Sequence, residues 1–600
     1  MCGIVGILNS NSLKNEAIDI LKKLEYRGYD SSGLSLFEKD KIKTIKSVGK
    51  ISELEKKTKN FSDKNFKGII GHTRWATHGI VNRNNAHPFS DDNLTLVCNG
   101  IIENYLNIQN RYVDIPNTIQ SDTEVSFYFL SYLLNKYKNP DEAIKIFMKT
   151  IKGNFAFVIF IKKNDSFYLL KNGSPISLSQ INNSFYICSD SSILSSYHNK
   201  IYHLKDGDIF KISNNKIKNL NKNSKITYVD NSVSQNPYDK GQFQHYMLKE
   251  IHEQPEVLKD TQFKYNSEFF VNFETKFKTL FDVDKLVLVG CGTAYHACMI
   301  GEYYFNKFTN LDVSSELASE LRYKNLNNNQ KNLYIFISQS GETMDTLMAL
   351  KYIKKYHHSS VIITNSLQSS MVREADVTIP TYAQKEVGVA STKAFTCQVL
   401  SLANLSLEVG KMNKTIPNLE YKKNMKLLFS LPAKLKKLIT DFTPVSKYLA
   451  KKISLINSCY FIGRNISYPL ALEGSLKLKE ISYMNSEGFP GGEMKHGPIA
   501  LIDKNTMTIC INPNNELYEK SLSNAQEITA RNGKIIILSS AKKLKKIKGE
   551  INTPSLPREN FIDTPFIYTI PLQLISYYFA LNEGTDIDQP RNLAKSVTVE

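Results

Sequence analysis

The second half of the chain carries four short apolar runs, each separated from the next by sequence of helical character. They are KLVLVG (285–290), NLYIFIS (332–338), SSVIITN (359–365) and DVTIPT (376–381). Buried strands joined through helices run parallel, with both faces of the sheet covered. This confines residues 285–590 to a doubly wound α/β architecture. An internal echo doubles it. LVLVGCGTAYHACMIGEYYF (286–305) resembles CYFIGRNISYPLALEGSLKLKE (459–480), and MTICIN near 507–512 echoes LYIFIS. Two α/β lobes are expected. After the paired strands they diverge, with SQSGETMDT in the first lobe and PNNELYEKS in the second.

Residues 1–230 have another texture. Short apolar strands such as CGIVGIL, SSGLSLF, LTLVCNG and NFAFVIFI alternate with polar turns, and helical segments lie near 14–26, 122–137 and 141–151. Many strands with few helices predict a layered α+β domain with antiparallel sheets. The polar stretch VDNSVSQNPYDKG (229–241) reads as a linker. The expected organisation is a domain over 1–230, a linker over 231–242, lobes over 243–430 and 431–590, and a tail over 591–600.

The formal charge of +18 invites a nucleic-acid reading. The lysines are scattered beside Asn and Ile, and the densest run, KKLKKIKGE (542–550), looks like a solvated surface segment. Anionic small substrates are the expected partners, with no nucleic acid. No apolar run reaches the roughly 18–20 residues of a membrane span, and no signal peptide is legible. None of the eight cysteines forms a CxxC pair. That pattern supports neither a zinc site nor a disulfide framework, so a cytoplasmic, metal-free protein is expected.

Loss of Met1 would make Cys2 the first residue. A thiol attacks as thiolate, and an α-amine of reference pKa about 7.7–8.0 can serve as base for the side chain of its own residue. Asn99 and Gly100, in VCNGIIEN, offer a side-chain amide and a backbone N–H for an oxyanion. Arg74 in GHTRWATHG suits a carboxylate, and Asp122 in SDTEV suits an ammonium group; together they describe the head of an α-amino acid. The bland alternatives are a hairpin turn at Asn99-Gly100, a helix cap at Asp122 and a surface ion pair at Arg74.

In the second half, Ser338, Gln339, Ser340 and Thr343 stand between a strand and a helix, where hydroxyls and N–H groups suit a phosphate. A simple helix start is the alternative. Glu473, Lys477 and Glu480 fall at i, i+4 and i+7 on one helix face, whose usual meaning is a solvated salt-bridge face. His496 lies in the Gly-rich EGFPGGEMKHGP, and Lys595 in a tail that composition calls loose.

MCGIVGI, LEYRGYDSSG, GHTRWATHG, HPF, CNGIIEN and SDTEV resemble the class II glutamine amidotransferases. The resemblance implies an N-terminal nucleophile (Ntn) fold and a glutaminase in which Cys2 attacks the glutamine amide. It places Arg74, Thr77, His78, Gly100 and Asp122 around the substrate, Asn99 and Gly100 at the oxyanion, Arg27 in support, and Trp75 as an ammonia gate. SQSGETMDT, EVGVASTKAFT, ALEGSLKLKEISY, GEMKHGP and DQPRNLAKSVTVE resemble the two sugar isomerase (SIS) domains of the glutamine:fructose-6-phosphate aminotransferase (isomerising) family, in its bacterial form with a short linker.

That resemblance implies two substrates, glutamine and fructose 6-phosphate, and one amino-sugar product, glucosamine 6-phosphate, with ammonia channelled between the sites and no cofactor. It makes Glu480 the group that moves a proton from C1 to C2, with Lys477 in support. It makes Lys595 a Schiff-base lysine, given a lowered pKa. His496 would open the sugar ring from the neighbouring subunit of a homodimer. Ser338, Gln339, Ser340 and Thr343 would hold the phosphate, with Thr293, Val389, Ser391 and Ala594 nearby. The family commonly has Ser where this chain has Ala294, so a hydrogen bond of about 0.5–1.5 kcal/mol is expected to be missing. Phosphoribosyl-pyrophosphate amidotransferase and asparagine synthetase share the N-terminal domain, but the acidic pyrophosphate segment of the first and the ATP loop of the second are not found. A non-catalytic sugar-phosphate sensor would leave Cys2, Glu480, His496 and Lys595 unexplained.

Overall fold

The computed structural model describes residues 2–598, except 11, 39–40, 63–65, 77, 113–114, 117, 196, 199, 222–227, 231–239, 327–328, 542–546 and 548. Most of the expected linker and of the lysine-rich run therefore lies outside the described residues. The backbone divides into two compact units, Met1–Tyr238 with Ser596–Glu600, and Asp239–Lys595.

The first unit is built on two antiparallel sheets, one of eight strands and one of six. Strict alternation gives each strand two different faces. In the eight-stranded sheet, Val5, Ile7 and Ile69 face the helices Leu13–Leu24 and Ile51–Thr58. Ile4 and Ile70, one residue out of phase, meet Val97, Ala156, Val158 and Phe167 of the six-stranded sheet. The far side of that second sheet, with Leu96, Phe155 and Phe157, covers the helices Asp122–Lys136 and Pro140–Thr150. The result is helix, sheet, sheet, helix, and the three expected helical segments appear at Leu13–Leu24, Asp122–Lys136 and Pro140–Thr150. The strand Gly3–Leu8 lies inside the larger sheet, paired with Gly68–Arg74 on one side and Ser184–Cys188 on the other.

The second unit holds two five-stranded parallel sheets with the same order. In the first lobe the strands run Asp312–Leu317, Lys285–Gly290, Asn332–Ile337, Ser359–Thr364 and Val377–Pro380; in the second, Asn485–Pro490, Ser458–Gly463, Thr506–Ile511, Lys534–Leu538 and Glu550–Ile551. Each lobe's second strand sits outside its first, so the order reverses between the first and third strands. Ligands of such sheets bind beyond the carboxyl ends at that point. The boundary expected at 430–431 falls inside one helix, Asn418–Ile453, which continues through Pro432 and Pro444. Its buried stripe from Met425 to Ile453 packs in the common core of both lobes, and that packing outweighs the two prolines. Among the described residues no helix is long and apolar enough to cross a membrane.

Candidate active sites

In the first unit, Cys2 immediately precedes the strand Gly3–Leu8. Its Sγ accepts from Trp75 N–H at 3.4 Å, and its carbonyl accepts from Asn99 Nδ2 at 2.9 Å. Burial pushes the thiol up, against the pull of the Trp75 N–H and the Arg74 charge. A thiol so placed needs a base. The neighbouring histidines are poor ones. His72 is pushed down to about 3 by burial and donates Nε2–H to the Cys98 carbonyl at 3.1 Å, and His87, stacked on it at 4.2 Å, is likewise lowered by burial.

Asn99 and Gly100 are not a hairpin turn. They pair with Ala156 and Phe155 within the strand Leu94–Ile102. Gly100 has φ +113°, and a Cβ there would lie 1.9 Å from the Asn154 carbonyl oxygen, so only glycine fits. Asp122 opens its helix without capping it. Its Oδ2 accepts from Ile102 N–H and its Oδ1 from Thr123 N–H, both at 2.8 Å, which ties it to the end of the Asn99 strand. Arg74 is buried; Nη2 donates to the His78 carbonyl, and Nη1 has no hydrogen-bond partner among the described residues. A buried guanidinium N–H left open beside a carboxylate and a thiol suits an amino-acid head group. Arg27 is engaged elsewhere. It pairs with Asp190 at 3.4 Å and donates to the Ser189 carbonyl, while Ser189 Oγ accepts from Ile4 N–H, so it braces the start of the Cys2 strand. Trp75 is half-buried, and Thr77 lies outside the described residues.

In the second unit, the loop Ser338–Thr343 and Thr293 both stand at the reversal point of the first lobe, beyond Asn332–Ile337 and Lys285–Gly290. Ser338 Oγ accepts from Gly341 N–H at 3.1 Å and lies 3.2 Å from Thr343 Oγ1. Gly341, at φ +61°, makes the tight turn, and a Cβ there would meet Ser369 Oγ at 2.1 Å. Thr343 precedes the helix Met344–Lys355 without a side-chain cap, so the first N–H groups of that helix have no intrahelical acceptor. Ala294 packs against the apolar core.

Glu473, Lys477 and Glu480 project from the helix Ser467–Ser482, the first two away from solvent and Glu480 half-buried. Glu473 and Lys477 are each 1% exposed, which overturns the salt-bridge-face alternative. Lys477 Nζ lies 2.6 Å from Glu480 Oε2 and 3.6 Å from Glu473 Oε1. Burial works against its charge, yet Glu480 and Glu473 outweigh burial and hold the lysine above its ordinary value. Glu473 also accepts from His296 Nδ1–H at 2.7 Å and from Thr293 Oγ at 3.2 Å, so a helix of the first lobe meets one of the second.

Lys595 is not loose. Its ammonium is 4% exposed and contacts Glu386 Oε2. The tail is held upstream, where Asp588 accepts from Tyr246 and Met247 N–H at 2.9 and 3.0 Å and its carbonyl accepts from Val389 N–H. Ser391 Oγ reaches Glu386 at 3.4 Å, and Lys477 feels the charge of Glu386, so the tail lysine and the helix triad share one neighbourhood. Ala594 is half-buried beside Lys595, and His496 is exposed on a short 3₁₀ turn.

Sequence reasoning missed His296, Glu386 and Glu250. His296 follows Thr293 by one helical turn, and that spacing could have found it. Nothing in sequence joins Glu386 to a lysine 209 residues away.

Residues 72–196 match the glutamine amidotransferase domain family, and 279–407 and 452–583 match the SIS domain family. Glutamine–fructose-6-phosphate aminotransferase [isomerizing] of Bradyrhizobium diazoefficiens is 39% identical, with 100% of each chain covered. The chain belongs to this aminotransferase family. The Francisella tularensis relative of the same name is also 39% identical over 100% of both chains. The solved C-terminal domain of glucosamine-fructose-6-phosphate aminotransferase from Francisella tularensis matches with TM-score 0.57 and 39% identity, over 59% of this chain and 99% of that one. Tagatose-6-phosphate ketose/aldose isomerase from Escherichia coli, at 15% identity and TM-score 0.50, covers 58% of this chain and 96% of its own, and shares the fold. Family membership agrees with the expected architecture, a layered antiparallel glutaminase domain followed by two SIS domains.

Proposed function

We propose that the chain hydrolyses glutamine at Cys2 and uses the ammonia to convert fructose 6-phosphate into glucosamine 6-phosphate. The observation that carries the reading is the Glu473–Lys477–Glu480 cluster, its first two members buried, beside the Glu386–Lys595 pair, in a unit whose other lobe presents a hydroxyl-lined loop at its reversal point.

In the glutaminase site, removal of Met1 gives Cys2 an α-amine to take its own thiol proton. Arg74 and Asp122 hold the glutamine head group, with Thr77 and His78 around it, and Asn99 with Gly100 N–H holds the oxyanion. Trp75, bonded through its backbone to the thiol, gates the ammonia, and Arg27 braces the nucleophile strand.

In the sugar-phosphate site, Ser338, Gln339, Ser340 and Thr343 bind the phosphate, with Thr293, Val389, Ser391 and Ala594 lining the sugar. Lys595 forms a Schiff base at C2. Glu480, held by Lys477, moves the C1 proton to C2, so that the ketose carbon skeleton ends as a 2-amino aldose. His496, exposed within its own chain, opens the ring in a neighbouring subunit of a homodimer. The enzyme works in the cytoplasm without a cofactor.

Incubation of untagged protein with both substrates tests the reading. Glutamate and glucosamine 6-phosphate are expected in equal amounts. Glutamate without amino sugar would overturn the roles given to Glu480 and Lys595.

A further inference from the structure

Glu386 is fully buried and almost entirely pre-engaged. Oε1 accepts from Thr392 N–H at 2.9 Å, Ala394 N–H at 3.1 Å and Thr392 Oγ at 3.3 Å, all at the start of the helix Lys393–Met412. Only Oε2 faces outward, to Lys595 Nζ and Ser391 Oγ. The carboxylate is thus fixed by backbone, and the lysine is fixed by the carboxylate. A second buried acid, Glu250, stands behind it. Its Oε1 accepts from Val387 N–H at 2.5 Å and Gly388 N–H at 3.1 Å, and its Oε2 has no partner among the described residues. Lys393 is drawn away to Glu253 at 2.8 Å. The ionisable groups that act on Glu386 or respond to it are Lys595, Glu250, Lys477 and the buried Cys397 thiol.

We propose that Glu386 is the positioning residue and proton acceptor of Lys595, fixing Nζ and taking the proton that this nitrogen must lose before it can attack a ketone. The inference rests on the Schiff-base role proposed for Lys595. An ammonium nitrogen has no free pair. Transfer of one N–H proton to Glu386 Oε2 leaves that pair on nitrogen; it forms the bond to C2, and the C2–O π pair moves onto oxygen. A second proton passes from nitrogen to that oxygen. The proton borrowed by Glu386 then goes to the hydroxyl, which leaves as water with its bonding pair, and nitrogen closes a protonated C=N. Glu386 ends as a carboxylate facing a cation, as it began. Burial and the Glu386 charge raise Glu250 to about 8, so the second acid stays neutral and does not compete for the lysine at neutral pH.

The experiment is borohydride trapping of fructose 6-phosphate on the full-length protein, followed by mass spectrometry of Lys595, from pH 6.5 to 9.5. Wild type is expected to trap at Lys595 across the range. Glu386→Gln is expected to trap at least 30-fold more slowly at pH 7 and to recover steeply as pH rises, because solvent then removes the proton. Glu386→Asp is expected to restore part of the neutral-pH rate. Glutamine hydrolysis and melting temperature report whether each variant is folded. Glu386→Gln trapping at the wild-type rate, or slowed equally at every pH with no recovery in Glu386→Asp, would overturn the proposal. Absence of trapping in wild type would instead overturn the Schiff-base reading of Lys595.

Discussion

The first α/β lobe leaves its reversal point open, and the second fills the equivalent place with its own side chains. Beyond the first and third strands of the first lobe stand Thr293 and the hydroxyls of Ser338 and Thr343, above a helix start whose N-cap, Thr343, makes no side-chain cap. In the second lobe the residue after the first strand is Arg464, whose Nε and Nη2 donate to Asn524 Oδ1 at 3.0 and 2.8 Å. One strand order therefore carries a hydroxyl-lined loop in one copy and an internal polar contact in the other. The second lobe contributes its helix Ser467–Ser482, which carries the buried Glu473 and Lys477 and the half-buried Glu480, the residues proposed above for proton transfer. The two copies of one fold differ at the same place, and they meet where Thr293 and His296 of the first donate to Glu473 of the second; under the proposed function this is a division by task.

The division can be broken at the chemical half first. Glu480→Gln is expected to lower amino-sugar formation about 10²- to 10⁴-fold while sugar-phosphate affinity and glutamine hydrolysis hold. Loss of affinity instead, measured by calorimetry with fructose 6-phosphate, would return binding to the second lobe. The binding half is tested next. Ser338→Ala with Thr343→Val is expected to raise the half-saturating fructose 6-phosphate about 10²- to 10⁴-fold, since two bonds to a charged group are lost at about 1.5–3 kcal/mol each. Arg464→Lys with Asn524→Ala, the matching change in the second lobe, is expected to leave it within about twofold, because the guanidinium there is already satisfied internally.

How far this division was legible varies with distance along the chain. The strand-and-helix rhythm, the hydroxyl loop and the i, i+4, i+7 triad are local patterns and stood out directly. Burial of the triad was not legible, because charge on a helix usually means solvent; only packing against the first lobe's helix reveals that Glu473 meets His296, 177 residues away. Taken alone, the Asn99-Gly100 pair reads more readily as a turn, and its place in mid-strand depends on pairing with Ala156 and Phe155. The boundary expected at 430–431 falls within the helix Asn418–Ile453, whose continuity rests on a buried stripe that only packing reveals.

Two smaller effects sharpen the comparison where the lobes touch. His296→Ala, which removes the first lobe's hold on Glu473, is expected to lower the amino-sugar rate about tenfold with little change in half-saturating sugar phosphate, read by steady-state kinetics. Glu250→Gln concerns stability. The folded value of about 8 lies above the ordinary 4.5. Between these the folded chain keeps a proton that the unfolded chain has lost, so stability falls as pH rises through this window and levels off above it. The variant lacks this loss. Its melting temperature is expected to exceed that of wild type by about 2–4 °C at pH 8 and by little at pH 5. An equal difference at both values would sink the assignment.

Asp588 caps the helix Tyr246–Lys264 from 342 residues further along the chain. Synthesis proceeds at about 5–20 residues per second, so this helix emerges from the ribosome roughly twenty seconds to a minute before its cap exists. During that interval the N–H groups of Tyr246 and Met247 lack their final acceptor. The lysine's seat is thus a late event of biogenesis, and a nascent chain stalled before Asp588 should be a client for holding chaperones although residues 1–238 of its first unit have long been made.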